Sequence, residues 1–314
     1  MNTILLTFDV EDWFQVENFK PYIPFSSWSK FELRVEKNVH IILDLLDSIR
    51  SRTSPLAPHG FNSLFCALRS APCVSMRGTF FVLGWIAERL PHLVREINSR
   101  GHEVASHGYG HKLCNAQNIS EVKKDLEKSK KLLEDILGSP IYGYRAPNFS
   151  INEEVLMAIA EAGYNYDSSY NSYRLNKRYG QISLFNNHDG FPYKIFDSFY
   201  EFPISNLKIG NRVLHWGGGG YFRLMPINIF ISGVKRILKN NGIYMLYLHP
   251  WEFDPDQPKM LQISNFLKFR HYFNLEKTSI KFQIFLNYFN KCQFLTCLDF
   301  LNLNTQHLTL ITNH

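Results

Sequence analysis

Along most of the chain, short apolar runs alternate with amphipathic stretches, the pattern of repeated βα units around a parallel sheet. Ile4 to Val10 reads as a buried strand. Val35 to Ile49 reads as a helix with Val35, Val39, Ile42, Leu43, Leu46 and Ile49 on one face. Thr79 to Leu83 predicts a second strand. Pro91 to Ser99 predicts a helix stopped by Gly101, a residue suited to the left-handed position after a helix. Glu103 to Ser106 is the third strand. Ser120 to Leu137 is a long helix with Ser120 as its N-cap and Gly138 at its end. Tyr142 to Tyr144 begins another strand. Ser150-Ile151-Asn152-Glu153 has capping-box spacing and opens a helix that ends at Gly163. Tyr164 to Asp167, Glu201 to Ile204 and Tyr244 to Leu248 bring the strand candidates to seven.

The rhythm breaks over Ser51 to Met76, which holds Pro55, Pro58 and Pro72 without any clear period and reads as a loop insertion. From about Lys281 the tail is rich in aromatic residues and is read as a last helix and a short strand. No internal repeat or low-complexity segment stands out.

Composition narrows the picture only modestly. The 314 residues are 45% hydrophobic and 20% charged, enough for a large core. A net charge of +6 is too mild to point to nucleic acid. The basic run from Lys123 to Lys131 alternates with acids on a predicted helix and reads as a solvated face. Five cysteines (Cys66, Cys73, Cys114, Cys292 and Cys297) form no CxxC pair, so neither a disulfide framework nor a zinc–thiolate site is indicated. The first apolar run is short and interrupted by Asp9, unlike a signal peptide, and no stretch matches a transmembrane segment. A cytoplasmic setting is therefore the expectation. With 15% aromatic residues, peripheral association at the inner membrane face stays open.

Polar groups gather just after the strands, where parallel α/β folds place their sites. Asp9-Val10-Glu11-Asp12-Trp13 puts Asp9 and Glu11 on one face if the strand continues, and adds Asp12 if the chain turns. Alone, these would also suit a turn with solvated acids. Ser106-His107-Gly108-Tyr109-Gly110-His111 holds two histidines four apart, flanked by glycines. Two imidazoles and one carboxylate leave open positions on a catalytic metal. Tyr144-Arg145-Ala146-Pro147-Asn148-Phe149 carries a permanent cation able to grip a carboxylate, with proline fixing the chain beside it. Asp167-Ser168-Ser169 and Leu248-His249-Pro250-Trp251-Glu252 complete the series; taken alone, the first suits capping and the second a structural histidine.

In this order the clusters resemble the motifs of the polysaccharide deacetylase (NodB-homology) family: an aspartate-rich first strand end, H-x-x-x-H, R-x-P, a D-S-S-like element and L-H. The likeness is closer still to the subgroup found with exosortase and exopolysaccharide loci. It rests on Asp9 to Phe14, Thr79 to Trp85, Gly101 to His111, Gly143 to Ser150, Gly218 to Leu224, Tyr247 to Glu252 and Phe269 to Leu275. It runs from about residue 3 to residue 300, and the insertion at 51–76 is the main departure.

The resemblance implies an α/β fold, a distorted (β/α) barrel of about seven strands. The chain would be one catalytic domain, 1–314, with a family-specific part at about 210–300. The implied activity is metal-dependent removal of N-acetyl groups from a polysaccharide or oligosaccharide. Asp9 takes the place of the general base, oriented by Arg145. His107 and His111 match metal ligands. The usual motif has two consecutive aspartates, but Val10 follows Asp9 here, so the acidic ligand is Glu11 or Asp12: strand period favours the first, a turn the second. His249 matches the general acid and Asp167 an acid that supports it. The implied cofactor is a divalent ion, zinc first and cobalt as a substitute, which polarises the amide carbonyl and activates water. Trp13, Tyr109, Trp216, Tyr221 and Trp251 are candidates to stack on sugar rings. Pro147 and Asn148 sit where the oxyanion would lean. Gly217 to Gly220 lacks the Lys-Ser/Thr of a phosphate loop and reads as a tight or mobile segment.

Three rivals remain. They are a hydrolase of another linear or cyclic amide on the same fold, a two-His, one-carboxylate iron oxygenase, and a catalytically silent glycan-binding protein. Acetate release and oxygen consumption separate them.

Overall fold

All eight residues of β1, Thr3–Val10, are buried, which requires cover on both faces. Ile4, Leu6, Phe8 and Val10 pack outward against the helices, while Leu5 packs inward, on the same face as Thr7 and Asp9. The same division recurs on β2 (Thr79–Val82), where Phe80 and Val82 face out and Phe81 faces in, and on β10 (Ile243–Leu248). Odd positions of these strands therefore line a barrel interior. Its upper layer is polar because Asp9 is the next inward residue after Thr7.

This computed structural model describes residues 1–53, 76–173, 179–180, 182, 191–196 and 198–311. The insertion expected over 51–76 lies almost wholly outside the described residues, as do Cys66 and Cys73. The other strands are β3 (Glu103–Ser106), β4 (Gly143–Tyr144), β5 (Tyr166–Asp167), β6 (Tyr193–Phe196), β7 (Phe199–Glu201), β8 (Asn206–Ile209), β9 (Arg212–His215) and β11 (Gln293–Leu295). The sheet runs β10-β1-β2-β3-β4-β5-β7-β6, parallel except for the antiparallel edge pair β6–β7. β11 joins β1 at Thr3–Leu5, below the Thr7–Val10 stretch that pairs with β2. The result is the curled, distorted barrel expected for the motifs. On the free edge of β10, Gly218 bridges to Tyr247, and Tyr247 N–H donates to Gly217 O. β8 and β9 form a separate hairpin.

Ten helices are described, of which α1 (Val35–Thr53), α2 (Gly84–Arg89), α3 (Pro91–Ser99), α4 (Ile119–Leu137) and α5 (Glu153–Glu161) follow the early strands. After β9 come α6 (Gly219–Leu224), α7 (Ile227–Asn241), α8 (Asn265–Tyr272), α9 (Thr278–Tyr288) and α10 (Cys297–Ile311). Two caps differ from expectation. Asn118, not Ser120, caps α4, and Asn152, not Ser150, caps α5. Asn competes as well as Ser for that role. Ser150 instead accepts from Cys114 N–H and donates to Pro147 O. The strand expected at Glu201 to Ile204 lies at Phe199–Glu201. The predicted tail of helix and short strand is present as α9 and β11, with α10 beyond them. Among the described residues, no helix is long and apolar enough to cross a membrane.

The barrel floor is closed by the start of α10. Glu103 accepts from Leu298 N–H (3.1 Å), Thr79 Oγ1 (2.8 Å) and Tyr166 OH (2.6 Å). Burial nonetheless pushes its carboxyl up to about 7, from an ordinary value of 4.5. Between those values the folded protein holds the extra proton, so stability is greatest below the lower one and falls as pH rises through the higher. Glu103→Gln is expected to flatten the pH dependence of thermal stability between about pH 5 and 8, by up to about 3 kcal/mol. An unchanged slope in thermal melts would show that Glu103 stays ionised.

Candidate active site

Every cluster singled out in the sequence, except parts noted below, arrives at the C-terminal end of the barrel. Strand register does this. Val10 pairs with Val82 and Val82 with Ser106, so residues that follow β1 and β3 emerge at one level. Phe8 pairs with Leu248, which sets His249 beside them.

Arg145 is the centre of the polar layer. Its guanidinium is fully buried and bonds Asp9 Oδ1 (2.7 Å), Thr7 Oγ1 (2.9 Å), Ser168 O (3.0 Å) and Ser168 Oγ (2.8 Å). It lies over the Phe81 ring at 4.0 Å. Burial works against the Asp9 anion, but Arg145, His107 and His249 outweigh it and hold the Asp9 carboxyl below its ordinary value. Asp9 is therefore an anion presented into the site.

Glu11, His107 and His111 bring one ligand atom each to within 4.8 Å of one another, all three buried. His107 Nδ1 bonds Arg145 O (2.8 Å), which leaves its other ring nitrogen for a ligand role. Burial pulls the His107 imidazole down to about 4, so it is neutral, as ligation requires. Burial raises Glu11, but His111 draws its carboxyl down to about 2. Glu11 Oε2 sits 2.8 Å from His111 Nε2 and yet lacks a hydrogen-bond partner of proper geometry. An orphaned buried carboxylate oxygen beside two imidazoles fits a shared divalent cation. His111 adopts φ 52°, as Asn148 does, and Phe149 has φ 58°. Non-glycine residues in that region cost about 1–3 kcal/mol each, strain that concentrates at functional sites.

The turn after β1 sends the two candidate acids to different partners. Asp12 caps the short helical turn at Trp13 and accepts from Arg34 N–H (2.6 Å) and Val35 N–H (2.9 Å). Oδ2 serves these two N–H groups at the start of α1 and Oδ1 accepts from Trp13 N–H (2.8 Å), so both oxygens are taken by backbone. Asp12 is thus not among the clustered ligands.

His249 stands across the site, with Nε2 3.8 Å from Asp9 Oδ2 and 3.7 Å from Glu11 Oε1. Its support is not Asp167, as expected, but Glu252, whose Oε1 lies 2.8 Å from Nδ1. Burial pulls the imidazole down, yet Glu252, Glu11 and Asp9 together push it up to about 9. Glu252 in turn takes Arg223 Nε (2.7 Å), and Arg223 donates to the carbonyls of His271 and Phe273. A Cβ on Gly219 would fall on the Glu252 carboxylate, which explains that glycine. The i, i+3 spacing of His249 and Glu252 around Pro250 was the available sequence signal; Arg223 lay within the stretch Gly218 to Leu224, but nothing there tied it to Glu252.

Asp167 serves Arg145 instead. It accepts from Ser169 Oγ (2.7 Å), and that oxygen accepts from Ala146 N–H (2.7 Å). Burial raises both Asp167 and the neighbouring Glu201, the latter further through the Asp167 charge.

A cavity of about 550 Å³ spans these groups. Asn148, Tyr221 and Trp251 line it among the substrate candidates. Trp251 donates to Glu11 Oε1 (3.2 Å) and stacks between His249 and His271. Three other candidates do not reach it. Trp13 is core, packed on Phe14, Phe19 and Phe31. Tyr109 bonds Glu88 and lies under Lys128. Pro147 is buried in the turn that shapes Asn148. Trp216 is also buried, donating to Phe230 O. Residues missed in the sequence include Tyr173, Tyr179 and His215, which also line the cavity.

Zinc titration and urea unfolding separate the two acids. Glu11→Gln is expected to weaken zinc binding more than about tenfold, whereas Asp12→Ala should lose about 1–2 kcal/mol of stability and keep the zinc affinity. Equal loss of affinity in Asp12→Ala would move the ligand there.

Two family descriptions match the chain. "Polysaccharide deacetylase" covers residues 74–166, and "Domain of unknown function (DUF3473)" covers 168–301. A peptidoglycan-N-acetylglucosamine deacetylase of Bacillus cereus is 31% identical over 86 residues, 27% of this chain and 40% of that protein. A peptidoglycan deacetylase of Helicobacter pylori is 31% identical over 91 residues, 29% of this chain and 31% of that protein. The matches thus span less than half of these relatives. Among solved structures, a candidate polysaccharide deacetylase of Mycobacterium smegmatis superposes with TM-score 0.52 at 21% identity, over 79% of this chain and 77% of that one. PuuE allantoinase superposes with TM-score 0.57 at 12% identity, over 95% and 88%. At such identities the likeness speaks for the fold.

Proposed function

We propose that the chain is a polysaccharide deacetylase, the description matched over residues 74–166, and that it hydrolyses the N-acetyl group of an acetylated glycan, with a divalent ion held by Glu11, His107 and His111. The observation that carries this reading is the convergence of those three groups with Asp9 and His249 on one cavity.

A divalent ion there, zinc or cobalt, supplies Lewis acidity that makes water a usable nucleophile near neutral pH. Asp9, fixed through Oδ1 by Arg145, takes the proton of the attacking water at Oδ2. His249 holds a proton on Nε2 while Glu252 fixes Nδ1, and it protonates the departing sugar nitrogen. Asn148, in its left-handed turn, offers backbone to the developing oxyanion. Each positioned acid or base is worth about 10²- to 10⁴-fold.

The test is acetate release from acetylated glycans, with chelator and with zinc or cobalt restored. Asp9→Asn is expected to keep its metal and lose about 10²-fold or more in turnover; a fully active variant would refute the role. Metal-loaded protein that releases no acetate would shift weight to another amide.

The motifs spread through 168–301 favour an exopolysaccharide intermediate over cell wall as the glycan. Side-by-side acetate release from both decides this. At the cavity mouth, Phe266 and Phe269 are exposed beside Lys268 and Arg270, an apolar and basic edge suited to an anionic membrane. Phe266→Ser with Phe269→Ser should abolish co-sedimentation with anionic vesicles. Absence of sedimentation by the unaltered chain would end the membrane reading.

A further inference from the structure

β1 and β10 are paired so that Phe8 faces Leu248. Glu11 and Trp251 each follow that pair by three residues, so they leave the two strands at one level. Pro250 opens the short helical turn Pro250–Phe253 and fixes the backbone that carries the Trp251 indole. The ring is 7% exposed. It is stacked on His249 at 5.3 Å and 25° and on His271 at 4.2 Å and 12°, so it offers no open face to a sugar. Gln257 pins this stack, donating to Trp251 O (2.7 Å) and meeting His271 Nε2 (2.7 Å). The one polar group of the indole, its N–H, donates to Glu11 Oε1 (3.2 Å) in a buried bond.

We propose that Trp251 is a positioning residue for the metal centre: its N–H holds Glu11 Oε1 and so keeps Oε2 turned toward the ion shared with His107 and His111. The inference rests on the metal-bound reading above and deepens it. A glutamate carries its carboxylate on a flexible stem, and that freedom must be lost before it can ligate. The two oxygens of Glu11 are already sorted. Oε2 lies 2.8 Å from His111 Nε2 without a proper hydrogen-bond partner, while Oε1 is taken by the indole. An indole N–H donates only. It therefore fixes the carboxylate without competing for the ion. Being neutral, it also leaves Glu11 the full charge that a divalent ion attracts. His107 has support of the same kind, through Arg145 O. Partners that orient ligands in this way govern metal affinity. Trp251 belongs to 168–301 and Glu11 follows β1, so this segment takes part in holding the ion, beyond supplying His249.

The experiment measures zinc affinity of the full chain by calorimetry, with a competing chelator where binding is tight. Trp251→Phe removes the N–H and keeps a ring between the two histidines. Benzothienylalanine at Trp251, with sulfur in place of the N–H, removes it without changing the shape, and serves if the first variant folds poorly. Each change is expected to weaken zinc binding about tenfold or more. In chains that already carry Glu11→Ala, the same changes should cost less than about twofold, because the deleted bond acts through the Glu11 carboxylate. Unchanged affinity in the benzothienylalanine chain, or an equal loss with and without Glu11→Ala, would overturn the role. An unaltered chain that binds no zinc would end both the metal reading and this inference. Zinc affinity lost in Glu11→Ala but kept in both Trp251 variants would end the inference alone. Acetate release is scored separately. The expected losses in a chain that releases no acetate would uphold the positioning role and sink the deacetylase reading.

Discussion

A guanidinium with no contact to solvent sits at the centre of the barrel, and the rest of the site is arranged around it. Burying the Arg145 charge is tolerable only because Asp9, Thr7, the two oxygens of Ser168 and Met245 Sδ take its five N–H groups. Removing one partner from such a pair costs about 3–5 kcal/mol, so the arrangement is strongly specified. The same contacts tie β1, β4 and the chain after β5 into one layer. They also fix Asp9 in charge and direction. The Arg145 carbonyl, through His107 Nδ1, sets the ring that faces Glu11 and His111. One buried cation thus orients both the anionic oxygen and one imidazole of the cluster.

The two matched segments contribute different parts of this site, and Asp9 and Glu11 precede both. His107, His111 and Arg145 come from 74–166, whereas His249, its partner Glu252 and the buttress Arg223 come from 168–301. Their strands lie in one sheet, with β10 paired to β1. Arg223 is also held by the carbonyls of His271 and Phe273, so the segment after α8 locks Glu252 and, through it, His249. Gly219 fits there because the Glu252 carboxylate leaves no room for a side chain.

Much of this was legible along the chain. The wholly apolar run at Ile4 to Val10 demanded a strand covered on both faces, and the period of two then placed Asp9 and Glu11 on one side. The strand ends at Ser106, Tyr144 and Leu248 could be read from where apolar runs stop, and the reactive residues follow each of them. Elements lacking such contrast were lost. β6, with an exposed alternate face, was missed, and so was the β8–β9 hairpin although Gly210-Asn211 is a hairpin turn signal.

The sequence by itself determined which residues would stand at the C-terminal ends of the inner strands, because strand period and apolar cover are local properties. It left open what each of them touches. Asp12 follows Glu11 directly, yet its oxygens go to backbone, claimed by the N–H groups of Trp13, Arg34 and Val35. Asp167 was expected at His249 and instead braces the Arg145 turn through Ser169. Glu252 holds His249, and Arg223 holds Glu252 from 29 positions away. Partnerships among buried charges depend on which desolvated group finds the best geometry across the barrel, and only the tertiary structure decides that.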